Sequence, residues 1–251
     1  MHETGLVLAG IIISSVAMAI GIGGGILWTP ILIFIYKLSP QEAITTSLLI
    51  QVAGLGSGTS AYLKARLVEK KLSIIFFLVA LPGVIIGSFF TINLSQQTVQ
   101  MSLGVMAMML ALLFVYSSEE FDNQEENQYR QTQLVRVLPI PAFFGFIMGF
   151  LSLGIGEWLI PALRHRLRLK MARAIGTVIP MMFLLAIVAA GIHYLLTKTL
   201  HLNYLLWGAL GTLIGGQIGA LFPQHINERL LKQTFIYLMT LIGIHMIFQS
   251  I

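Results

Sequence analysis

Eight apolar runs divide this sequence, each at least about as long as the roughly 20 residues an α-helix needs to cross a bilayer. They lie near 5–36, 41–63, 72–92, 97–117, 134–163, 171–197, 202–222 and 228–250. Helices satisfy their own backbone hydrogen bonds where no water can, so this pattern implies an all-α integral membrane fold. Composition agrees: 10% of the residues are charged and 57% hydrophobic, against about 25% charged in an ordinary soluble domain. The Ala17-Met18-Ala19 stretch looks like a signal-peptide cleavage site. However, Met1 to Thr4 lacks Lys and Arg and the apolar run continues past it, so this stretch is expected to stay in the mature chain.

The chain reads as two halves. A polar linker at 118–133, rich in acidic residues such as Glu119, Glu120 and Asp122, separates a first membrane repeat at 1–117 from a second at 134–251. Gly23-x-Gly25 with Pro30 matches Gly154-x-Gly156 with Pro161, and Ala43-Ile44-Thr45-Thr46 falls over Ala174-Ile175-Gly176-Thr177, at one constant offset. Gly83-x-x-x-Gly87 matches Gly211-x-x-x-Gly215 at a slightly shorter one, and Ser95 and Asn227 stand as corresponding helix N-caps.

The first and fifth runs are too long for one straight span: about 46 Å at 1.5 Å per residue, against a hydrocarbon core of ~30 Å. Each also has a glycine cluster in the middle, Gly21-Ile22-Gly23-Gly24-Gly25 and Gly154-Ile155-Gly156. Glycine costs about 1 kcal/mol per residue inside a helix, which favours a break at both places. Charge placement points the same way. If all eight runs cross, Lys and Arg divide seven against eight between the two sides. If the first and fifth are re-entrant hairpins, only Lys37 and Lys198 lie outside and the other thirteen inside, as the positive-inside rule expects. Each unit is then one glycine-tipped hairpin plus three transmembrane helices. Three crossings invert the second unit relative to the first, a common transporter plan. Loops 64–71 and 164–173 are cytoplasmic in this reading, and both termini lie outside.

Two glycine tips entering from opposite faces would meet near the midplane, each opening a short helix. A helix N-terminus exposes unpaired N–H groups and about half a positive charge, and glycine lets a ligand approach that backbone closely. The expected anion site is therefore built from Gly23, Gly24, Gly25, Gly154 and Gly156, with Thr45, Thr46, Ser47 and Gln51 on the second run and Gly176 and Thr177 at the corresponding place in the sixth. Glycines can also serve close packing alone, and hydroxyls can bond back to the i−4 carbonyl. Glu157, just past the second tip, is an ionisable group in an apolar run, a position usually functional. It could couple transport to protons, occupy the anion site itself or cap its own helix. His193 and His245 read as packed or interfacial, the twelve methionines as gap-filling, and Trp28 and Trp158 as candidates to shape a pocket.

Several classes are excluded. The stretch Gly54-Leu55-Gly56-Ser57-Gly58 puts Leu55 where an intramembrane serine protease needs glycine, and no His-Glu-x-x-His metal pattern or phosphate-binding G-x-x-x-x-G-K-[ST] loop occurs. Zero cysteines exclude disulfides, thiolate zinc sites and thiol catalysis. The chain is not expected to be an enzyme or to need a cofactor. The net charge of +5 lies in short clusters between apolar runs, so nucleic acid is not an expected partner. The expected partners are a small anion and the lipid bilayer, with a homodimer left open.

With these residues in place the sequence resembles the TauE/SafE (sulfite exporter) family of small bacterial permeases. The resemblance rests on Gly21 to Gly25 with Pro30, on Pro40-x-x-Ala43 leading into Thr46-Ser47, on the basic loop before the third run, on Pro82-Gly83-x-x-x-Gly87, and on a degenerate second copy of the opening motif. It implies export or exchange of sulfite, sulfonates or sulfoacetate across the bacterial inner membrane. One departure stands out: the family's second copy commonly continues in glycine, and this chain has Glu157-Trp158 there. The alternatives are a cation or neutral-solute carrier using Glu157, and a non-transporting membrane scaffold subunit.

Overall fold

A computed structural model describes residues 2–116, 131–221 and 228–250. The described residues form α1 (His2–Ile20), α2 (Gly25–Phe34), α3 (Pro40–Lys64), α4 (Lys70–Ile92), α5 (Gln96–Tyr116), α6 (Gln131–Val135), α7 (Pro139–Leu151), α8 (Gly156–Leu167), α9 (Met171–Thr197), α10 (Leu202–Leu221) and α11 (Glu228–Ser250). Most of the expected linker, and the expected N-cap Asn227, lie outside the described residues. Ser95 does cap α5, its hydroxyl accepting from the Thr98 amide at 3.2 Å.

Both long runs break at their glycines. α1 ends at Ile20 and α2 starts at Gly25; α7 ends at Leu151 and α8 starts at Gly156. The chain then reverses. α1 runs in the direction of α3, with Ser14 at Gly54 and the Tyr62 hydroxyl donating to the Met18 carbonyl at 2.6 Å. α2 runs against α3, with Gly25 at Gln51 and Thr29 at Ser47. In the second half α8 likewise runs against α9, with Gly156 near Met182 and Arg164 near Met171. The arms of the first hairpin are unequal: α1 reaches the far third of α3, whereas α2 begins only at the level of Gln51.

Packing exchanges between the halves. α1 lies along α10 and α7 along α4; α3 packs on α10 and α9 on α4; α3 and α9 contact each other, as do α5 and α11. Small residues make these contacts close: a Cβ on Gly215 would strike the Ile11 carbonyl, and one on Gly219 the Ser15 carbonyl. In the other half Gly83 sits against the Ala142 carbonyl and Gly87 against that of Phe146. Residues 142 and 146 lie 131 beyond 11 and 15. The partners of Gly83 and Gly87 are therefore Gly215 and Gly219, one helical turn later than the Gly211/Gly215 match read from sequence.

The backbone shows the same correspondence. Left-handed conformations fall at Gly21 (φ 77°) and Ser152 (φ 62°), at Lys37 (57°) and Arg168 (54°), and at Arg66 (57°) and Lys198 (50°). The α2 and α8 ends close alike: the Leu38 amide donates to the Leu32 carbonyl and the Leu169 amide to that of Leu163, the six-to-one bond of a helix ending on a left-handed residue.

Among the described residues five segments are long and apolar enough to cross a membrane: Lys70–Ile92, Gln96–Val115, Gln133–Leu151, Met171–Thr197 and Leu202–Leu221. α3 is not one of them despite its 25 residues, because Thr45, Thr46, Ser47, Gln51, Ser57 and Thr59 dilute its hydropathy. All six are buried, so α3 is polar where it faces protein. Along α4, α5, α10 and α11 large apolar side chains such as Ile86, Met109, Leu210 and Leu241 are exposed, the pattern of a lipid-facing rim.

Candidate functional site

The two helix breaks cross each other. A Cβ on Gly23 would lie 2.5 Å from the Gly154 Cα, one on Gly25 would strike the Ser152 carbonyl, and one on Gly156 would strike that of Gly21. The pairs Gly21/Gly156 and Gly25/Ser152 convert into one another under the 131-residue offset, so the crossing is symmetric about Gly23 and Gly154. Glycine is required here because backbone touches backbone.

A polar cluster surrounds the start of α2. The Gln51 amide Nε2 donates to Ser152 Oγ at 2.7 Å and to Ser47 Oγ at 3.3 Å. Ser47 Oγ lies 2.9 Å from Ser152 Oγ, and Thr29 Oγ1 donates to Ser47 Oγ at 3.1 Å. All four side chains are buried. Their second-half counterparts differ: Thr29, Ser47 and Gln51 correspond to Ile160, Val178 and Met182. The start of α8 is accordingly apolar, with Ile160 and Ile175 against Gly21, apart from Glu157.

Glu157 reaches across the crossing. It lies in the first turn of α8, and its Oε1 accepts a hydrogen bond from the Gly23 amide at 3.2 Å. Its Oε2 is buried without a hydrogen-bond partner, and the residue is only 3% exposed. A small cavity between α1, the start of α2, α3 and α10, barely large enough for one water molecule, is bounded by residues including Ser14, Gly24, Trp28, Gln51 and Thr212.

Of the residues expected from sequence, the fold brings together Gly23, Gly24, Gly25, Ser47, Gln51, Gly154, Gly156 and Glu157. It places others elsewhere. Thr45 bonds back to the Gln41 carbonyl at 2.9 Å. Thr177 bonds back to the Arg173 carbonyl at 2.7 Å and accepts from the Glu69 amide at 3.1 Å. Gly176 packs on the Leu67 carbonyl, and Thr46 is buried on α3. His193 holds the Gly149 carbonyl at 2.8 Å, His245 meets the Phe34 ring, and Trp158 stacks on Phe144 at 4.3 Å; only Trp28 borders the cavity. Sequence reading missed Thr29 and Ser152. The signal for Ser152 was present, since it stands 131 residues after Gly21, in the same left-handed corner. For Thr29 the available signal is a lone hydroxyl inside a short apolar helix.

A chain whose described elements are all helices, with an apolar exposed rim and a buried polar crossing, is a multi-pass membrane protein. A profile of the sulfite exporter TauE/SafE family matches residues 6–246, and the chain belongs to that family. The chain is 26% identical to the probable membrane transporter protein YunE of Bacillus subtilis, over 98% of this chain and 97% of that one. A probable membrane transporter protein of Xylella fastidiosa is 25% identical over 92% and 89%, and YjnA of Bacillus subtilis, also a probable membrane transporter protein, is 24% identical over 89% and 90%. No solved structure matches. The chain is a membrane transporter rather than an enzyme.

Proposed function

We propose that the chain is a secondary transporter, an exporter or exchanger of small anions such as sulfite, sulfonates or sulfoacetate. The anion binds where the two glycine breaks cross, and Glu157 couples its movement to protons. The observation that carries this reading is the crossing itself: two helix starts and a neutral donor cluster meet deep in the bundle around one buried carboxylate. Helix N-termini meeting at one place, with polar side chains beside them, favour an anion.

Residues 1–117 and 134–251 act as two inverted repeats in this reading. Support comes from the exchange of packing partners at the 131-residue offset and from the opposed directions of α3 and α9. Loops 64–71 and 164–173 then face the cytoplasm, with the protein in the bacterial inner membrane. Two equivalent units of opposite sense can trade places around a fixed site, which is alternating access.

Uptake of labelled sulfite and of a small sulfonate into proteoliposomes, with and without a pH gradient, tests the reading. The expected result is saturable uptake that depends on the gradient in the native protein and loses that dependence in Glu157→Gln. A second reading, a cation carrier, is favoured by one observation, the unpartnered Glu157 Oε2. Cation uptake without anion flux would select it.

A further inference from the structure

We infer that the crossing has electrostatic room for one negative charge, so the transporter takes a singly charged anion together with one proton and rejects dianions. This rests on the anion reading above. The charge balance follows from the groups present. Gln51, Ser47, Ser152 and Thr29 are neutral, and none of the hydrogen bonds that join them involves a Lys, Arg or His side chain. The positive potential comes from the starts of α2 and α8, about half a charge each. Together they offset about one negative charge.

That charge is already supplied. Glu157 lies 97% buried in the crossing, one oxygen on the Gly23 amide and the other without a partner. The unpartnered oxygen is aimed at the crossing itself, 2.7 Å from where a Gly154 side chain would begin. A second anion beside an ionised carboxylate would be uncompensated in a low-dielectric setting, which is strongly unfavourable. Protonation of Glu157 removes the conflict: the proton goes onto the carboxylate, the Gly23 amide is freed, and the arriving anion accepts from it and from the Gln51–Ser152 donors. Occupancy therefore alternates between the resident carboxylate and a proton with a monoanion, and either state is near neutral. A dianion would leave one charge unmatched even with Glu157 protonated.

The test uses native protein in proteoliposomes with the membrane potential clamped and a pH-sensing dye inside. The probes are methanesulfonate, a monoanion at every working pH, and sulfate, a dianion. The expected result is methanesulfonate uptake that rises as external pH falls, acidifies the lumen by one proton per anion and does not respond to the clamped potential. Sulfate uptake should be slower by about a hundredfold or more. In Glu157→Gln, methanesulfonate flux should lose its proton and become sensitive to potential. Sulfate moving as fast as methanesulfonate, or methanesulfonate moving in native protein without a proton, overturns the charge rule while leaving anion transport intact. Absence of flux for methanesulfonate, sulfate and sulfite alike overturns the anion reading and the rule with it.

Discussion

At the scale of single residues, what matters at the crossing is the absence of side chains as much as their presence. Gly156 lies against the Gly21 carbonyl, so a Cβ there would strike backbone that cannot move aside. Gly191, in the last third of α9, has nothing within 4 Å of where a Cβ would go. Gly156→Ala should therefore destabilise the protein by about 1–3 kcal/mol or more through overpacking and abolish transport. Gly191→Ala should leave activity unchanged and raise stability by up to about 1 kcal/mol, because alanine is the better helix former. Thermal unfolding in detergent, read beside proteoliposome flux, checks both. Equal effects would mean that the crossing is not tightly packed. Ser152 combines two roles, a left-handed backbone corner and a hydroxyl in the cluster. Ser152→Gly keeps the corner and removes the hydroxyl, so the expected outcome is a weaker apparent affinity with a normal unfolding temperature.

At the scale of elements, α3 and α9 are joined by a charge pair at each end. Arg173 Nη1 meets Glu69 Oε1 at 3.1 Å, and His201 Nε2 lies 3.5 Å from Glu42 Oε1, close enough for electrostatic contact but not placed as a hydrogen bond. The pairs correspond: 173 lies 131 beyond 42, and 201 lies 132 beyond 69, with acid and base exchanged. Each joins the start of one long helix to the residues after the end of the other, so α3 and α9 are antiparallel and the pairs are separated by about 37 Å, the length of a 25-residue helix. The four side chains are 31–42% exposed, and such pairs contribute about 0–1 kcal/mol each to stability. Their larger effect is expected on the balance between conformations, where a fraction of a kcal/mol is visible. Glu69→Gln should raise the reactivity of a cysteine introduced at its own end of the bundle, and Glu42→Gln that of one at the other end. Changes at both ends from either substitution would show that the pairs do not act locally. The histidine pair is charged only when His201 is protonated. Tyr204 stacks on His201, and the Tyr36 ring packs tilted against Tyr204.

At the scale of the whole molecule, the outcome to check is sidedness. The native chain has no cysteine, so a single cysteine placed in the 164–173 loop is a clean probe. It should label from the cytoplasmic side only, as should one in the 64–71 loop, whereas one at Lys37 should label from outside. Labelling of the 164–173 loop from outside would sink the hairpin topology.

The sequence by itself determined the membrane class, the helical content, the places where two long runs break and much of the crossing. Those features are written locally: hydrophobic run length fixes a span, and clustered glycines fix a break. Glu157, Ser47 and Gln51 were legible for a related reason, since polar groups in apolar runs are costly and stand out. Three things were decided only by tertiary structure. The Gly83 and Gly87 partners are Gly215 and Gly219, because contacts between α1 and α10 set that register and Gly211, Gly215 and Gly219 share one spacing. Thr45 and Thr177 bond back into their own helices, because a hydroxyl in apolar surroundings takes the nearest carbonyl unless another segment presents a partner. Finally, the donors gather at the α2 start while the carboxylate arrives from α8, because residues more than a hundred positions apart become neighbours only where the two breaks cross.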